Sequence, residues 1–431
     1  MRKEKISVVT LGCSKNMVDS ERLMNQIKLN DFRLTENVED ADTVIVNTCG
    51  FIEAAKEESI GAILEALKLK KEGTLNKVIV SGCLSQRYKE DLMKELPDVD
   101  IFFGTEDYEG IVKEIGGTLR YDLLGERVLS GPSHSAYLKI SEGCDNPCSF
   151  CAIPLMRGKH HSKDIPSLVR EAEFLADNNT KELIIIAQDT TDYGKDIYGE
   201  RAAAKLIHQL SEIEKIKWIR LMYAYPSHFP DDLIEVIANN PKVLNYIDMP
   251  LQHISENCLR SMRRGITKRR TLELLETLKT RIPGLALRTT FIVGYPSETE
   301  KDFEELCDFI QEFEFDRLGV FTYSVEDTTP SFILGDPIPA KEKNARKNRL
   351  MEIQQEISAR KNQALVGAEL DVLVDGKEGD LYVARSYRDA PEVDGEVLIT
   401  SNKKKLKPGD FLRVSITDAN EYDLFAELVK K

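Results

Sequence analysis

From residue 6 to residue 323 the chain repeats one pattern, a short β-branched or apolar run followed by a segment of helix length. Such runs stand at 6–11, 43–47, 77–81 and 100–103, and again at 136–140, 183–187, 218–222, 246–249, 285–293 and 318–323. A helical crossover returns the chain to the edge it left, so strands joined this way pair in parallel and are covered by helices. The first group of runs predicts a small doubly wound α/β domain. The second, with six βα repeats, predicts a partial (β/α)6 barrel. Residues 341–365 are polar and helix-favouring, with Leu350, Ile353 and Ile357 at i, i+3 and i+7. After Gly367 the period shortens to two, in ELDVLVDG, LYVARSY, GEVLITS, DFLRVSIT and YDLFAELV. Five short strands with glycine-containing turns predict a small closed antiparallel β barrel of OB-like style. The expected division is therefore a first domain at 1–120, a linker at 121–135, a core at 136–340, a connecting helix at 341–362 and a terminal barrel at 363–431.

Eight cysteines punctuate this framework. Cys144, Cys148 and Cys151 form a C-x3-C-x2-C loop after the first strand of the core. Three thiolates so close in sequence can wrap one iron-sulfur cube, which ordinarily takes four. The next cysteine is Cys258, so one iron is left open to bind a small molecule. A structural zinc site is the competing reading, with His160 or His161 as fourth ligand, although the C-x2-C spacing usual for zinc occurs only once. Cys13, Cys49 and Cys83 each lie just past the carboxyl end of one of the first three runs, beside Gly12, Gly50 and Gly82. The carboxyl ends of an open parallel sheet share one rim, where ligands bind. These three are therefore expected to hold a second metal cluster, against the alternative of three buried small hydrophobes. Cys258 and Cys307 fall on the apolar stripes of helical segments and read as packing thiols.

Two incomplete cysteine triplets in one chain, in LGCSKN, NTCGF and SGCLS and in CDNPCSFCAIPLMRGKHHS, resemble the radical S-adenosylmethionine (SAM) methylthiotransferases. The resemblance covers essentially the whole chain, whose last segment is similar to the TRAM barrel of that family. It implies two 4Fe-4S clusters with three cysteine ligands each, SAM as cofactor, and sulfur insertion into a C–H bond followed by methylation. It also implies that Phe150, Gln188, Gln252 and Gly294 line the SAM pocket, that the chemistry is carried by the clusters with no side-chain acid or base, and that the first domain's cysteine rim faces the barrel mouth. Arg157, Lys159, His160 and His161 follow the cluster loop and could approach substrate, or could be a solvated loop. An external electron donor and a sulfur source are further implied partners.

Charge separates the subfamilies. The chain carries 73 acidic and 59 basic residues, a formal −14, which argues against a bulk electrostatic grip on nucleic acid. From Gln363 onward 14 acidic residues face 10 basic ones, whereas an RNA-gripping surface should be basic. The run Lys403-Lys404-Lys405 is the exception and reads as a hairpin tip. An acidic terminal barrel suits a basic protein. That favours the subfamily modifying the β-carbon of an aspartate in small-subunit ribosomal protein number twelve over the one modifying transfer-RNA adenosine. LGCSKN agrees, since the transfer-RNA type tends to read GCQMN. A non-enzymatic zinc adaptor is the more distant alternative. The basic start and short apolar run at the N-terminus are too short for a signal peptide, and no segment approaches the roughly 18 apolar residues of a membrane span. A cytoplasmic protein that works without a membrane is expected.

Overall fold

The computed structural model describes residues 4–400 and 405–429, so the basic start at Met1 to Lys3 and the Lys403-Lys404 pair lie outside the described residues. In the first domain β1 (Lys5–Thr10), β2 (Arg33–Leu34), β3 (Thr43–Thr48), β4 (Lys77–Gly82) and β5 (Ile101–Phe102) pair in parallel in the order 2-1-3-4-5. Successive side chains of a strand point to opposite faces. Val44, Val46, Val78 and Val80 accordingly pack on Ile63, Ala66 and Leu84 of the helices Glu53–Lys71 and Cys83–Glu95. Ile45 and Ile79 pack with Ile6 on Leu23 and Ile111 of the helices Ser14–Leu29 and Tyr108–Glu114, on the other face. The sheet is doubly wound, and its order reverses between β1 and β3, the switch point at which such sheets bind ligands.

In the core, β6 (Ser135–Lys139) leads into a short antiparallel pair, β7 (Ser141–Glu142) and β8 (His161–Ser162), that brackets the cysteine loop. Then follow β9 (Glu182–Ile186), β10 (Trp218–Leu221), β11 (Val243–Asp248), β12 (Ala286–Val293) and β13 (Arg317–Thr322). The six longer strands lie side by side in chain order, all parallel, with β6 and β13 as open edges. Leu183, Ile185, Ile219, Leu221, Leu287 and Phe291 face the surrounding helices.

The inner face is filled at one end by the terminal barrel. Trp218 meets Phe411 edge-on at 5.0 Å between centroids, and Leu373 and Ala390 pack on the cluster of Ile184, Leu244 and Tyr246. Buried Arg220 donates to Glu182 at 2.9 Å and to the carbonyl of Tyr387 at 2.9 Å, while Arg385 pairs with Glu182 at 2.8 Å. Only the carboxyl end of the core strands is left as a mouth.

The terminal barrel closes β14 (Glu369–Glu378), β15 (Leu381–Ser386), β16 (Val397–Thr400), β17 (Phe411–Ala419) and β18 (Leu424–Leu428) in the order 14-15-16-18-17. The expectation of an antiparallel barrel needs one correction, because β16 and β18 run parallel. Five strands cannot alternate direction around a closed ring, so an odd barrel must contain such a pair. The helix Ala340–Gln363 lays buried Leu350 and Ile357, with half-buried Ile353, against the core. Among the described residues no helix is long and apolar enough to cross a membrane.

The first domain holds both edges of the open core sheet. On the β6 side Asp19 pairs with Lys139, and Arg22 pairs with Glu171 at 3.0 Å. Beyond β13, Glu326 receives Arg87 at 2.8 Å and Lys56 at 3.0 Å.

Candidate active site

Cys13 caps the helix after β1, Cys49 follows β3, and Cys83 opens the helix after β4. These strands are neighbours, so their carboxyl ends deliver three sulfurs to one rim. The glycines make the convergence possible. A Cβ on Gly12, whose φ is +90°, would lie 2.8 Å from Cys49 Sγ, and one on Gly50 would lie 2.7 Å from the Leu84 Cα. Burial pushes the Cys83 thiol up to about 12, with Cys13 and Cys49 adding to the rise and Arg157 opposing it. Burial also raises Cys49, again with Cys13 contributing.

The second triplet is gathered by its own loop, Asn146 included, and by Arg264 and Tyr225 from two other parts of the core. Asn146 Nδ2 donates to Cys144 Sγ at 3.5 Å and to Asp189 at 2.7 Å. Arg264 donates to Cys148 Sγ at 3.1 Å, and the Tyr225 hydroxyl lies 3.5 Å from the same sulfur beneath the Arg264 guanidinium. Burial pushes Cys151 to about 12, and Cys148 and Cys144 raise it further. Burial likewise carries Cys144 to about 11. Cationic and amide donors aimed at sulfur stabilise thiolate, the form that ligates metal.

Spacing tests what each triplet fits. Among the described residues, the one group of three or more potential ligand atoms within 4.8 Å of one another is Asp19, Glu106 and Glu142, and the Lys139 ammonium bonds all three. Neither set of sulfurs is drawn so tight. A single tetrahedral zinc would pull its sulfurs to about 3.8 Å from one another, whereas an iron-sulfur cube spreads them wider. An all-thiol donor set is the kind that iron-sulfur clusters take.

The first triplet's rim touches the helix that leaves the second. Cys83 packs on Ala152 and Met156, directly after Cys151. Arg157, at the end of the helix Ile153–Arg157, donates through Nε to Cys83 Sγ at 3.3 Å and through Nη1 to Asp19 at 2.6 Å and Glu142 at 3.1 Å. Glu142 in turn accepts from Gln188 Nε2 at 2.6 Å. The first domain's rim thus faces the barrel mouth.

The expected SAM-pocket residues do not form one contact set. Phe150 packs beside Met262, Tyr295 and Tyr323. Gln188 and Gln252 each keep a buried side-chain oxygen without a partner, and Gln252 holds a φ of +73°. Gly294, at φ +75°, is where Lys343 of the connecting helix passes, since a Cβ there would lie 2.3 Å from its Cγ. Lys159 is exposed. His160 contacts Ser162 at 3.0 Å, and His161 lies 3.5 Å from Glu106. Cys258 and Cys307 are buried in the core.

Family models match three segments: the uncharacterized protein family UPF0004 at residues 5–104, the radical SAM superfamily at 138–310 and the TRAM domain at 366–429. The chain is 50% identical over 431 residues to the ribosomal protein uS12 methylthiotransferase RimO of Cytophaga hutchinsonii, covering 100% of this chain and 99% of that one. It is 46% identical to the RimO of Bacteroides thetaiotaomicron with both chains fully covered, and 49% identical to that of Aquifex aeolicus over 97% and 96% of the two chains. The chain belongs to the RimO family. Among solved structures, the radical SAM methyltransferase TsrM of Kitasatospora setae shares the fold at a TM-score of 0.57 and 12% identity, over 77% of this chain and 74% of that one.

For a RimO chain, the residues that sequence reading missed are those between the triplets. Asn16, Asp19, Lys139, Glu142 and Arg264 are charged or polar yet buried. Their one signal was the charge inside apolar runs, as in LKISEGC.

Proposed function

We propose that this chain adds a methylthio group to the β-carbon of an aspartate of ribosomal protein uS12. The observation that carries the reading is the apposition of two cysteine triplets through Arg157. In this reading Cys144, Cys148 and Cys151 hold one 4Fe-4S cluster and Cys13, Cys49 and Cys83 the other. When bound, the clusters supply one-electron reduction of SAM at one triplet and sulfur at the other, chemistry that side chains lack.

The chain's own part is holding and excluding. Arg264, Tyr225 and Asn146 fix the sulfurs of the core triplet, and Arg157 fixes Cys83. The spare oxygens of Gln188 and Gln252 offer acceptors to a SAM ammonium or ribose, with Phe150 supplying an apolar wall and Gly294 a close backbone approach. The terminal barrel closes the far end of the core and keeps water from that side. Phe51, Ile52, Leu155 and Ile333 are exposed on segments beside the cysteines, an apolar fringe suited to a protein surface. The enzyme is read as cytoplasmic, drawing on an external electron donor and sulfur source, with the domain limits at 1–120, 136–340 and 363–431.

Anaerobic iron and acid-labile sulfide analysis, then mass spectrometry of uS12 after reaction, tests this. Iron with sulfide, a methylthio mass gain on uS12 and its loss in Cys148→Ser are expected. Zinc without sulfide, or a mass gain on transfer RNA in place of uS12, would refute it.

A further inference from the structure

Lys15 is the second residue of the helix that Cys13 caps, and it is 7% exposed. Its ammonium sits 2.9 Å from the centroid of the Tyr223 ring, and among the described residues it makes no hydrogen bond or ion pair. The stem is enclosed while Nζ itself is not, so the ammonium keeps an accessible face with no anion on it. The contrast with Lys139, which bonds three carboxylates, and Lys343, which bonds Asp336 and a carbonyl, is direct.

Its position is as informative as its lack of a partner. Tyr223 follows β10 at the barrel mouth, and its carbonyl accepts from the backbone N–H of Thr190 at 3.1 Å. The adjoining Asp189 accepts from Asn146, which also donates to Cys144 Sγ. Lys15 therefore lies with Cys13 on one side and the Cys144 loop on the other. Val18, one turn on, packs against Ile186 and Met222 of the core and locks the helix there.

We propose that Lys15 receives the side-chain carboxylate of the substrate and sets a preference for aspartate over its amide. The inference rests on the function proposed above and names the group that recognises its substrate. Anchoring the carboxylate places the β-carbon one bond away, between the triplets. A charge-assisted hydrogen bond of this kind is among the stronger ones, and a site built around it rejects an analogue that leaves it unpaired.

The test measures affinities of anaerobically reconstituted, full-length enzyme for uS12 and for uS12 with asparagine at the target position, together with SAM affinity. Lys15→Met removes the charge at nearly constant shape and matches the GCQMN wording. Lys15→Arg keeps the charge. The native enzyme is expected to prefer the aspartate form by at least about tenfold, Lys15→Met to lose the preference with SAM affinity unchanged, and Lys15→Arg to retain it. A preference that survives Lys15→Met, or a variant that loses SAM affinity in its place, overturns the proposal. If the native enzyme binds neither form of uS12, the function reading fails first and this proposal with it.

Discussion

The Nε of Arg157 stands 3.3 Å from Cys83 Sγ, so the short helix leaving one cysteine triplet donates to a sulfur of the other. Asp19, Glu142 and Asn16 accept the rest of its donors. One side chain therefore fixes the first domain's rim against the core's loop.

Arg157→Ala removes the cation that Asp19 and Glu142 share with Lys139. Breaking a buried charge network in this way costs about 3–5 kcal/mol. The expected result is a lower denaturant midpoint, with cluster loss at the first domain's site ahead of the core site. Iron content of the variant, compared in single-triplet backgrounds, checks the order.

Gly294→Ala places a Cβ against Lys343 at a backbone angle that L residues rarely adopt. About 1–3 kcal/mol of destabilisation is expected from the conformation alone, before any movement of Lys343. Urea unfolding of this variant beside Gly73→Ala, where φ is +82° but nothing lies within 4 Å, separates strain from collision. The Gly294 variant should lose more.

Asp302 titrates low, at about 2. Burial alone would raise it, but hydrogen bonds from Ser255, Thr299 and Asn257 prevail. A carboxyl depressed in the folded state stabilises above its ordinary value, near 3.8, and that contribution drains away as pH falls toward 2. Asp302→Asn should thus narrow the gap in melting temperature between pH 6 and pH 3 relative to the native chain.

Arg385→Ala strips Glu182 and Asp375 of a shared cation at the seam between core and terminal barrel. Glu182 would keep Arg220 alone. Loss of about 3–5 kcal/mol is expected, with protease cutting after residue 363 at concentrations the native chain resists. Unchanged proteolysis would show that the seam is held by its apolar contacts.

Much of this architecture is legible in the residues. A strand that ends in glycine and cysteine announces both its direction and its rim, so Cys13, Cys49 and Cys83 could be placed together from three local signals. The period change after Gly367 marks the barrel in the same way. Asp19 and Lys139 are another matter, because 120 residues separate them and each reads alone as an ordinary surface charge. Nor does any local signal say that Arg220 and Trp218 face a third domain, since alternation tells inside from outside but not what fills the inside. Gly294 reads as a turn, and the Lys343 stem that demands it arrives from a helix nearly fifty residues on.

The grip of the first domain on both edges of the core sheet bears on how the two halves can move against each other. Swinging the two halves apart would have to give up Arg87–Glu326, Lys56–Glu326 and Asp19–Lys139 together. A link on one edge alone would leave a pivot there, whereas links on both edges tie the cysteine rim to the core's mouth like a clasp fastened at each end.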